Sequence, residues 1–203
     1  DIARGEVHGL VGENGAGKST LINILAGLVE RNGGDIRVYS RDYQPTTAND
    51  AFGAGVSFAA QELCVIENLS VTENISLRSL PTRHGMIDRR ASESLAREML
   101  KKVGLQDIAP ESPAGELSLG ARQLVEIARA ITGDCRVLML DEPTAALGPA
   151  ETKQVRDLIK QLEHEGYMFE GAEASFEILA RKALGSFEDP FQLINFRTIN
   201  RKS

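Results

Sequence analysis

Tryptophan is absent from the 203 residues, cysteine occurs twice, and aromatic side chains make up only 5% of the chain. Cys64 and Cys135 show no Cys-x-x-Cys spacing and stand among apolar residues, which indicates a reducing compartment rather than a disulfide framework. No uninterrupted apolar run approaches the roughly 18 residues that a membrane-spanning helix needs. These absences exclude a disulfide-rich secreted protein, a collagen-like or disordered chain and an integral membrane protein.

Basic residues are also outnumbered. Lysine and arginine total 23 against 29 aspartates and glutamates, so the net charge is −6 and the isoelectric point is about 5.2. This balance disfavours a surface that coats nucleic acid or an anionic membrane. The apolar fraction of 42% is that of an ordinary globular protein, and the length is sufficient for one domain with a small subdomain.

Short apolar runs alternate with segments of helical period. This alternation predicts an α/β protein with a mainly parallel sheet flanked by helices. The predicted strands are 6–11, 55–59 and 137–140, and the predicted helices are 18–26, 88–103, 118–131 and 149–164. Residues 35–39 alternate apolar and polar side chains, which is typical of an antiparallel strand at the edge.

A glycine-rich turn joins the first predicted strand to the first predicted helix. Its sequence, GENGAGKST, satisfies G-x-x-x-x-G-K-[ST], the phosphate-binding P-loop or Walker A pattern, in the strand–helix context that this pattern requires. Glycines allow successive backbone N–H groups to point at one anion, and the positive end of the helix adds to the attraction. The predicted nucleotide-binding residues here are Gly12, Asn14, Gly15, Ala16, Gly17, Lys18, Ser19 and Thr20.

Two acids, Asp141 and Glu142, end the apolar strand at 137–140. On its own, a pair of acids at this position most often only caps the end of a strand and has no catalytic role. In the same sheet as a P-loop, the first carboxylate can hold Mg²⁺ through water and the second can take a proton from an attacking water.

The order of motifs along the chain resembles that of the ATP-binding cassette (ABC) ATPases. Residues 117–123 (LSLGARQ) are similar to the signature loop of that family, Gln61 to its Q-loop glutamine, and residues 143–148 (PTAALG) to its D-loop. The resemblance implies that Ser118 and Gly120 grip the γ-phosphate of an ATP held by the opposite subunit.

The resemblance covers about four-fifths of the chain and implies a P-loop NTPase fold of ABC type, with an antiparallel β edge and a helical subdomain. We expect an ABC-type nucleotide-binding domain at 1–166, with its helical subdomain at about 70–132. Residues 167–203 are then a divergent tail of unknown role, in which 173–184 predict one amphipathic helix. Because residue 1 is Asp rather than Met, we also expect the chain to be a piece of something longer.

The resemblance further implies roles for the individual site residues. Lys18, Gln61 and Glu142 are the expected catalytic residues, with Glu142 as the general base. Mg²⁺ is expected to be held by Ser19, Gln61 and Asp141, and the cofactors are therefore ATP and Mg²⁺.

Within the family, the sequence segments 7–14, 69–74 and 142–147 are most similar to those of the ATPases of bacterial sugar importers of the ribose, galactose and xylose type. This implies a subunit that hydrolyses ATP to power solute import. Its expected partners are a second nucleotide-binding domain in a head-to-tail dimer, transmembrane permease subunits and, indirectly, a periplasmic solute-binding protein. The expected location is peripheral, on the cytoplasmic face of the inner membrane.

The chain departs from the family pattern at several positions. Leu119 and Ala121 replace a glycine and a glutamine of the signature, and Gly148 replaces the D-loop aspartate. The aromatic residue that stacks on adenine is expected upstream of Asp1, and the switch histidine expected near 167–175 is absent.

Two other functions therefore stay open. The first is a nucleotide-binding fragment that does not hydrolyse ATP, since elements that serve hydrolysis are missing. The second is a soluble ABC-type ATPase acting on nucleic acid or the ribosome, which the negative charge and the short interval between P-loop and signature disfavour.

Overall fold

A computed structural model describes residues 7–10, 17–38, 40–59, 64–141, 143–144, 147–165 and 168–172. The strands in chain order are β1 Val7–Leu10, β2 Arg37–Val38, β3 Arg41–Asp42, β4 Val56–Ala59, β5 Thr82–Arg83, β6 Met86–Ile87, β7 Val137–Asp141 and β8 Met168–Ala172. The helices are α1 Lys18–Leu25, α2 Ala48–Gly53, α3 Val71–Ser76, α4 Arg89–Lys102, α5 Leu119–Ala130 and α6 Pro149–His164, with a 3-10 turn at Ala114–Glu116.

Four strands form one parallel sheet in the order β1-β8-β7-β4, whereas β2 with β3 and β5 with β6 form antiparallel pairs. In the parallel sheet, Leu10 of β1 and Asp141 of β7 both pair with Ala172 of β8, the strand between them. The ends of β1 and β7 are thus at one level, two strand spacings or about 10 Å apart. The P-loop sequence follows β1 and the acidic pair stands at the end of β7, so both begin at the same edge of the sheet.

The two faces of β7 belong to two different cores. Leu138 and Leu140 pack into one core and Met139 into the other, because successive side chains of a strand point to opposite faces. The larger core is built by α3, α4, α5, α6 and the sheet, and its large buried residues include Val71, Ile75, Leu100, Leu124, Ile127 and Leu162. The smaller core contains Ile22, Ala26, Tyr43, Ala51, Val56 and Met139. Helices α1 and α5 therefore pack against opposite faces of the sheet.

Local signals account for where the helices of the larger core begin. Ser70, Asp88 and Ser118 cap α3, α4 and α5, each accepting a hydrogen bond from the backbone N–H three residues later. Pro149 occupies the first position of α6, where its missing N–H costs nothing.

The predicted α/β architecture is confirmed, and the predicted helices and parallel-sheet strands agree with the observed ones to within one residue at each end. Several short elements were not predicted, among them α2, β5 and β6. Helix α2 begins with a capping box at Thr47 and Asp50, and β5 and β6 are joined by a tight turn with positive φ at His84 and Gly85.

The strand β8 is formed by residues of the predicted tail, and it lies between β1 and β7 in the sheet. The domain boundary at 166 stays a prediction, and the predicted helix at 173–184 lies outside the described residues. The expectation of apolar surroundings is wrong for Cys64, which is exposed because the loop after residue 63 runs over the surface. None of the helices in the described part of the chain combines the length and apolar character needed to span a bilayer.

Candidate functional site

The end of the predicted phosphate loop has the geometry of an anion site. Gly17 caps α1 in the left-handed conformation (φ +93°), with no side chain capping the helix. A Cβ on Gly17 would meet open space, so glycine is favoured there by the backbone conformation rather than by crowding. Lys18, Ser19 and Thr20 form the first turn of α1, and the hydroxyl-bearing residues are exposed. Backbone N–H groups in the first turn of a helix are the groups that a phosphate binds, so the start of α1 has the form of an anion site.

Asp141 is the last residue of β7 and is partly buried. It stands at the same sheet edge as Leu10, from which the chain continues into the phosphate loop. Ser19 and Asp141 offer a hydroxyl and a carboxylate, which suit Mg²⁺ because this ion takes few protein oxygens and completes its shell with phosphates and water. The residues present therefore fit a Mg²⁺–nucleotide at this edge.

The signature loop presents a second, separate helix start. Ser118 is the N-cap of α5, and its Oγ accepts from the Ala121 N–H at 3.2 Å. Gly120 is buried, and its N–H donates to Glu151 Oε1 at 3.2 Å. The other carboxylate oxygen, Oε2, accepts from the Gly148 N–H at 3.1 Å. One carboxylate therefore joins the beginnings of α5 and α6.

Arg122 holds the loop that leads into α5. Its Nε and Nη2 each donate at 3.0 Å, to the carbonyl oxygens of Leu117 and Gly115, and its Nη1 is paired with Glu67. The Gly115 N–H in turn donates to the Glu67 carbonyl at 3.0 Å. The signature loop is thereby fixed against the segment that follows residue 63.

A buried ion pair ties the same segment to the middle of α5. Arg129 Nη2 lies 3.3 Å from Glu126 Oε1, and their side chains are only 9% and 3% exposed. The pair grips the backbone of Cys64 on both sides: Glu126 Oε2 accepts from its N–H at 3.2 Å, and Arg129 Nη1 donates to its carbonyl at 2.9 Å. The segment that begins at Cys64 is thus anchored to α5.

Some of the predicted site residues lie in the described part of the chain and others lie outside it. Those that the structure describes are Gly17, Lys18, Ser19, Thr20, Ser118, Gly120 and Asp141. Those that lie outside the described residues are Gly12, Asn14, Gly15, Ala16, Gln61 and Glu142. The described ones fall into two groups, because Lys18 is on α1 and Ser118 on α5, against opposite faces of the sheet.

Sequence reasoning missed the two contacts that surround the signature helix. Glu151 carried a weak signal, since it stands at the third position of α6, where an acid often accepts from the N-cap N–H. Glu126 carried another, as an acid between the apolar residues Val125 and Ile127. Neither signal identifies the distant partner.

The comparison with curated proteins finds import ATPases. The chain is 43% identical over 162 residues to the arabinose import ATP-binding protein AraG of Chromohalobacter salexigens, covering 80% of this chain and 33% of that protein. It is also 43% identical over 166 residues to the ribose import ATP-binding protein RbsA 1 of Rubrobacter xylanophilus, covering 82% of this chain and 33% of that protein. The chain spans about one third of the length of the curated relatives it matches.

Among solved structures, a nucleotide-free ATP-binding cassette from an ABC transporter superposes with a TM-score of 0.74 at 24% identity, covering 89% of this chain and 75% of that chain. A dimeric ATP-binding cassette in a post-hydrolysis state, bound to ADP and Pi, superposes with a TM-score of 0.73 at 24% identity, covering 88% and 78%. These likenesses show the fold, a P-loop NTPase fold of cassette type. The family model described as ABC transporter matches residues 1–145, and the chain therefore belongs to the ABC transporter family.

Proposed function

We propose that this chain is the ATP-binding and ATP-hydrolysing part of an ABC importer for a sugar. The observation that carries the proposal is the left-handed Gly17 at the start of α1, together with the level at which β1 and β7 end: Leu10, after which the phosphate-loop sequence follows, and Asp141 pair with the same residue of β8. The arabinose and ribose import proteins that it resembles support the solute class.

In this function Lys18 binds the β- and γ-phosphates as a point charge, while backbone N–H groups in the first turn of α1 donate to the same phosphates. Ser19 and Asp141 would hold Mg²⁺. When bound, the ion would supply positive charge that offsets the charge developing on the phosphate oxygens. The chain itself supplies the orientation, because Ser19 is held in the first turn of α1 and Asp141 at the end of β7.

Hydrolysis requires a residue that accepts a proton from the attacking water. We assign this role to Glu142, which directly follows Asp141, and assign Gln61 to the same metal and water. General-base assistance of this kind contributes about 10²- to 10⁴-fold in rate.

The position of the signature loop supports a dimer. Because α1 and α5 pack on opposite faces of the sheet, Ser118 and Gly120 belong to a different surface from Lys18. A second nucleotide-binding domain, placed head to tail, would bring the signature loop of each subunit to the nucleotide of the other. The dimeric cassette among the similar folds is compatible with this arrangement.

A role in solute import implies the remaining partners of this chain. Transmembrane permease subunits would select and carry the sugar, with a periplasmic solute-binding protein acting through them. The chain would then be peripheral, at the cytoplasmic face of the inner membrane.

One observation favours a second candidate, nucleotide binding without hydrolysis. The three histidines are His8, His84 and His164, so none follows β8, where the family resemblance places a switch histidine. Losing a group that acts only in the transition state lowers turnover while leaving phosphate binding intact.

The test measures ATP binding and phosphate release on the same preparations. Lys18→Ala should abolish nucleotide binding, and Lys101→Ala, which removes an exposed lysine of α4, should leave it unchanged. Glu142→Gln should keep ATP bound and stop phosphate release.

The outcomes separate the candidates. Binding that depends on Lys18, with phosphate release that depends on Glu142, supports the proposed function. Binding without release in the unaltered chain, even with a permease present, supports the second candidate. Equal binding by the Lys18 and Lys101 variants contradicts both.

A further inference from the structure

The carboxylate of Glu151 lies between two helix starts. It accepts from the N–H of Gly120 in the first turn of α5 and from the N–H of Gly148, which directly precedes α6. Both helix starts carry partial positive charge, so they would repel one another without an anion between them. Glu151 is a residue of α6, and the anion is therefore supplied from within the same chain.

The Glu151 side chain packs so closely on Gly120 that a side chain at residue 120 would have to displace it. A Cβ at residue 120 would lie 2.6 Å from Glu151 Cγ and 2.7 Å from its Cδ and Oε1. The Glu151 side chain thus covers the Gly120 N–H directly. Ser118 already uses its Oγ to accept from the Ala121 N–H, so this hydroxyl oxygen and the Gly120 N–H both have partners within the chain.

We propose that Glu151 is a positioning residue that holds the Gly120 amide within its own subunit and releases it when a phosphate held by the opposite subunit docks there. This inference rests on the proposed function, because it needs the head-to-tail dimer. The physical reason is competition: one N–H donates to one anion at a time, and a carboxylate beside an incoming phosphate repels it. Glu151 thereby acts as a restraint against closure of the dimer.

The same side chain connects this event to the acidic pair. Gly148 stands in the segment between Glu142 and α6, and its N–H donates to the carboxylate that covers Gly120. When the carboxylate leaves Gly120, the hydrogen bond to Gly148 must also adjust. Docking of the opposite subunit is therefore linked to the segment that follows the proposed general base.

The experiment removes the charge and keeps the shape. Glu151→Gln is made in the Glu142→Gln chain, so that ATP persists, and dimer formation is followed by sedimentation velocity over a titration of Mg²⁺–ATP. We expect the ATP concentration for half-maximal dimer to fall about tenfold, since about 1.4 kcal/mol of repulsion is removed. Binding of ATP to the monomer should not change, because Lys18 and α1 are on the other face of the sheet.

The matched control is Glu98→Gln, which makes the same charge change at an exposed position of α4. A second readout is hydrogen exchange of the nucleotide-free protein, in which amides at 118–121 should exchange faster in the Glu151 variant only. Thermal unfolding is recorded for each chain. If Glu151 had only a structural role, its replacement would lower the melting temperature and weaken the dimer.

Three results overturn the inference. Dimers with the same or a higher ATP requirement in the Glu151 variant overturn it alone, and so does an equal gain in the Glu98 control. If no chain forms dimers when ATP is added, the head-to-tail function is overturned as well. Nucleotide binding is tested separately, by the loss of ATP binding in the Lys18→Ala monomer.

Discussion

Replacing Arg129 by methionine is the sharpest test of how the signature helix is held. The substitution keeps an unbranched side chain of helix-forming type on α5 but removes the guanidinium. Glu126 then loses its ion pair, and the Cys64 carbonyl loses the hydrogen bond from Arg129 Nη1 at 2.9 Å. We expect a large fall in the free energy of unfolding.

The magnitude follows from the burial of the pair. Removing one partner of a buried ion pair typically costs about 3–5 kcal/mol, because the other charge stays desolvated. Glu126 keeps the hydrogen bond from the Cys64 N–H, and it also interacts electrostatically with Arg78, whose pKa is lowered by desolvation first and by Arg129 second. The expected loss is therefore at the lower end, about 3 kcal/mol.

Urea and thermal unfolding measure this loss. For a chain of this length, about 1 kcal/mol corresponds to roughly 2–4 °C, so the melting temperature should fall by about 6–12 °C. The control is the double variant Glu126→Leu with Arg129→Met, which leaves no buried charge of the pair and should be more stable than Arg129→Met alone. A loss below about 1 kcal/mol, or a double variant no more stable than the single one, would refute the reasoning.

Two further predictions use local features of the fold. Ser70→Ala removes the N-cap of α3 and should cost about 1 kcal/mol in urea unfolding. Hydrogen bonds from the Ser70 N–H and hydroxyl lower the pKa of Glu73, so the carboxylate stabilises the fold above its unfolded pKa and this contribution disappears as the pH falls through the folded pKa. The difference between the two chains should thus shrink below about pH 4, and a difference that grows there would contradict the capping geometry. Burial raises the pKa of the Cys135 thiol to about 11, so iodoacetamide at pH 8 should alkylate exposed Cys64 and spare Cys135 until urea is added. Mass spectrometry of the modified peptides reads the result, and rapid labelling of Cys135 in the folded protein would show the burial to be wrong.

Much of the architecture was predictable because its signals are local. The strand at 137–141 is an uninterrupted apolar run that ends in an acid, and α6 begins at a proline and follows a helical stripe to His164. The P-loop pattern at 12–20 needs only neighbouring residues to be recognised. These local signals and the order of the motifs were sufficient to predict the fold and the family, which the structure and the comparisons confirm.

The contacts around the signature helix were not predictable because each joins residues far apart in the chain. Glu126 reaches the backbone of Cys64 across 62 positions, and Glu151 reaches Gly120 across 31. Hydrophobic periodicity identifies which face of a helix is buried, but it carries no information about which polar group of another segment that face meets. The sheet order has the same character, since Met168–Ala172 enters between β1 and β7 by pairing with both.

The amino-acid sequence by itself determined the longer helices, three strands of the parallel sheet, the phosphate-binding turn and the acidic pair, because propensity, periodicity and capping act over a few residues. Only the tertiary structure decided that Leu10 and Asp141 meet one sheet edge, that α1 and α5 pack on opposite faces, and that Glu151 covers the Gly120 amide. These arrangements depend on how separate segments pack once their apolar faces are buried together, which is a property of the whole folded chain.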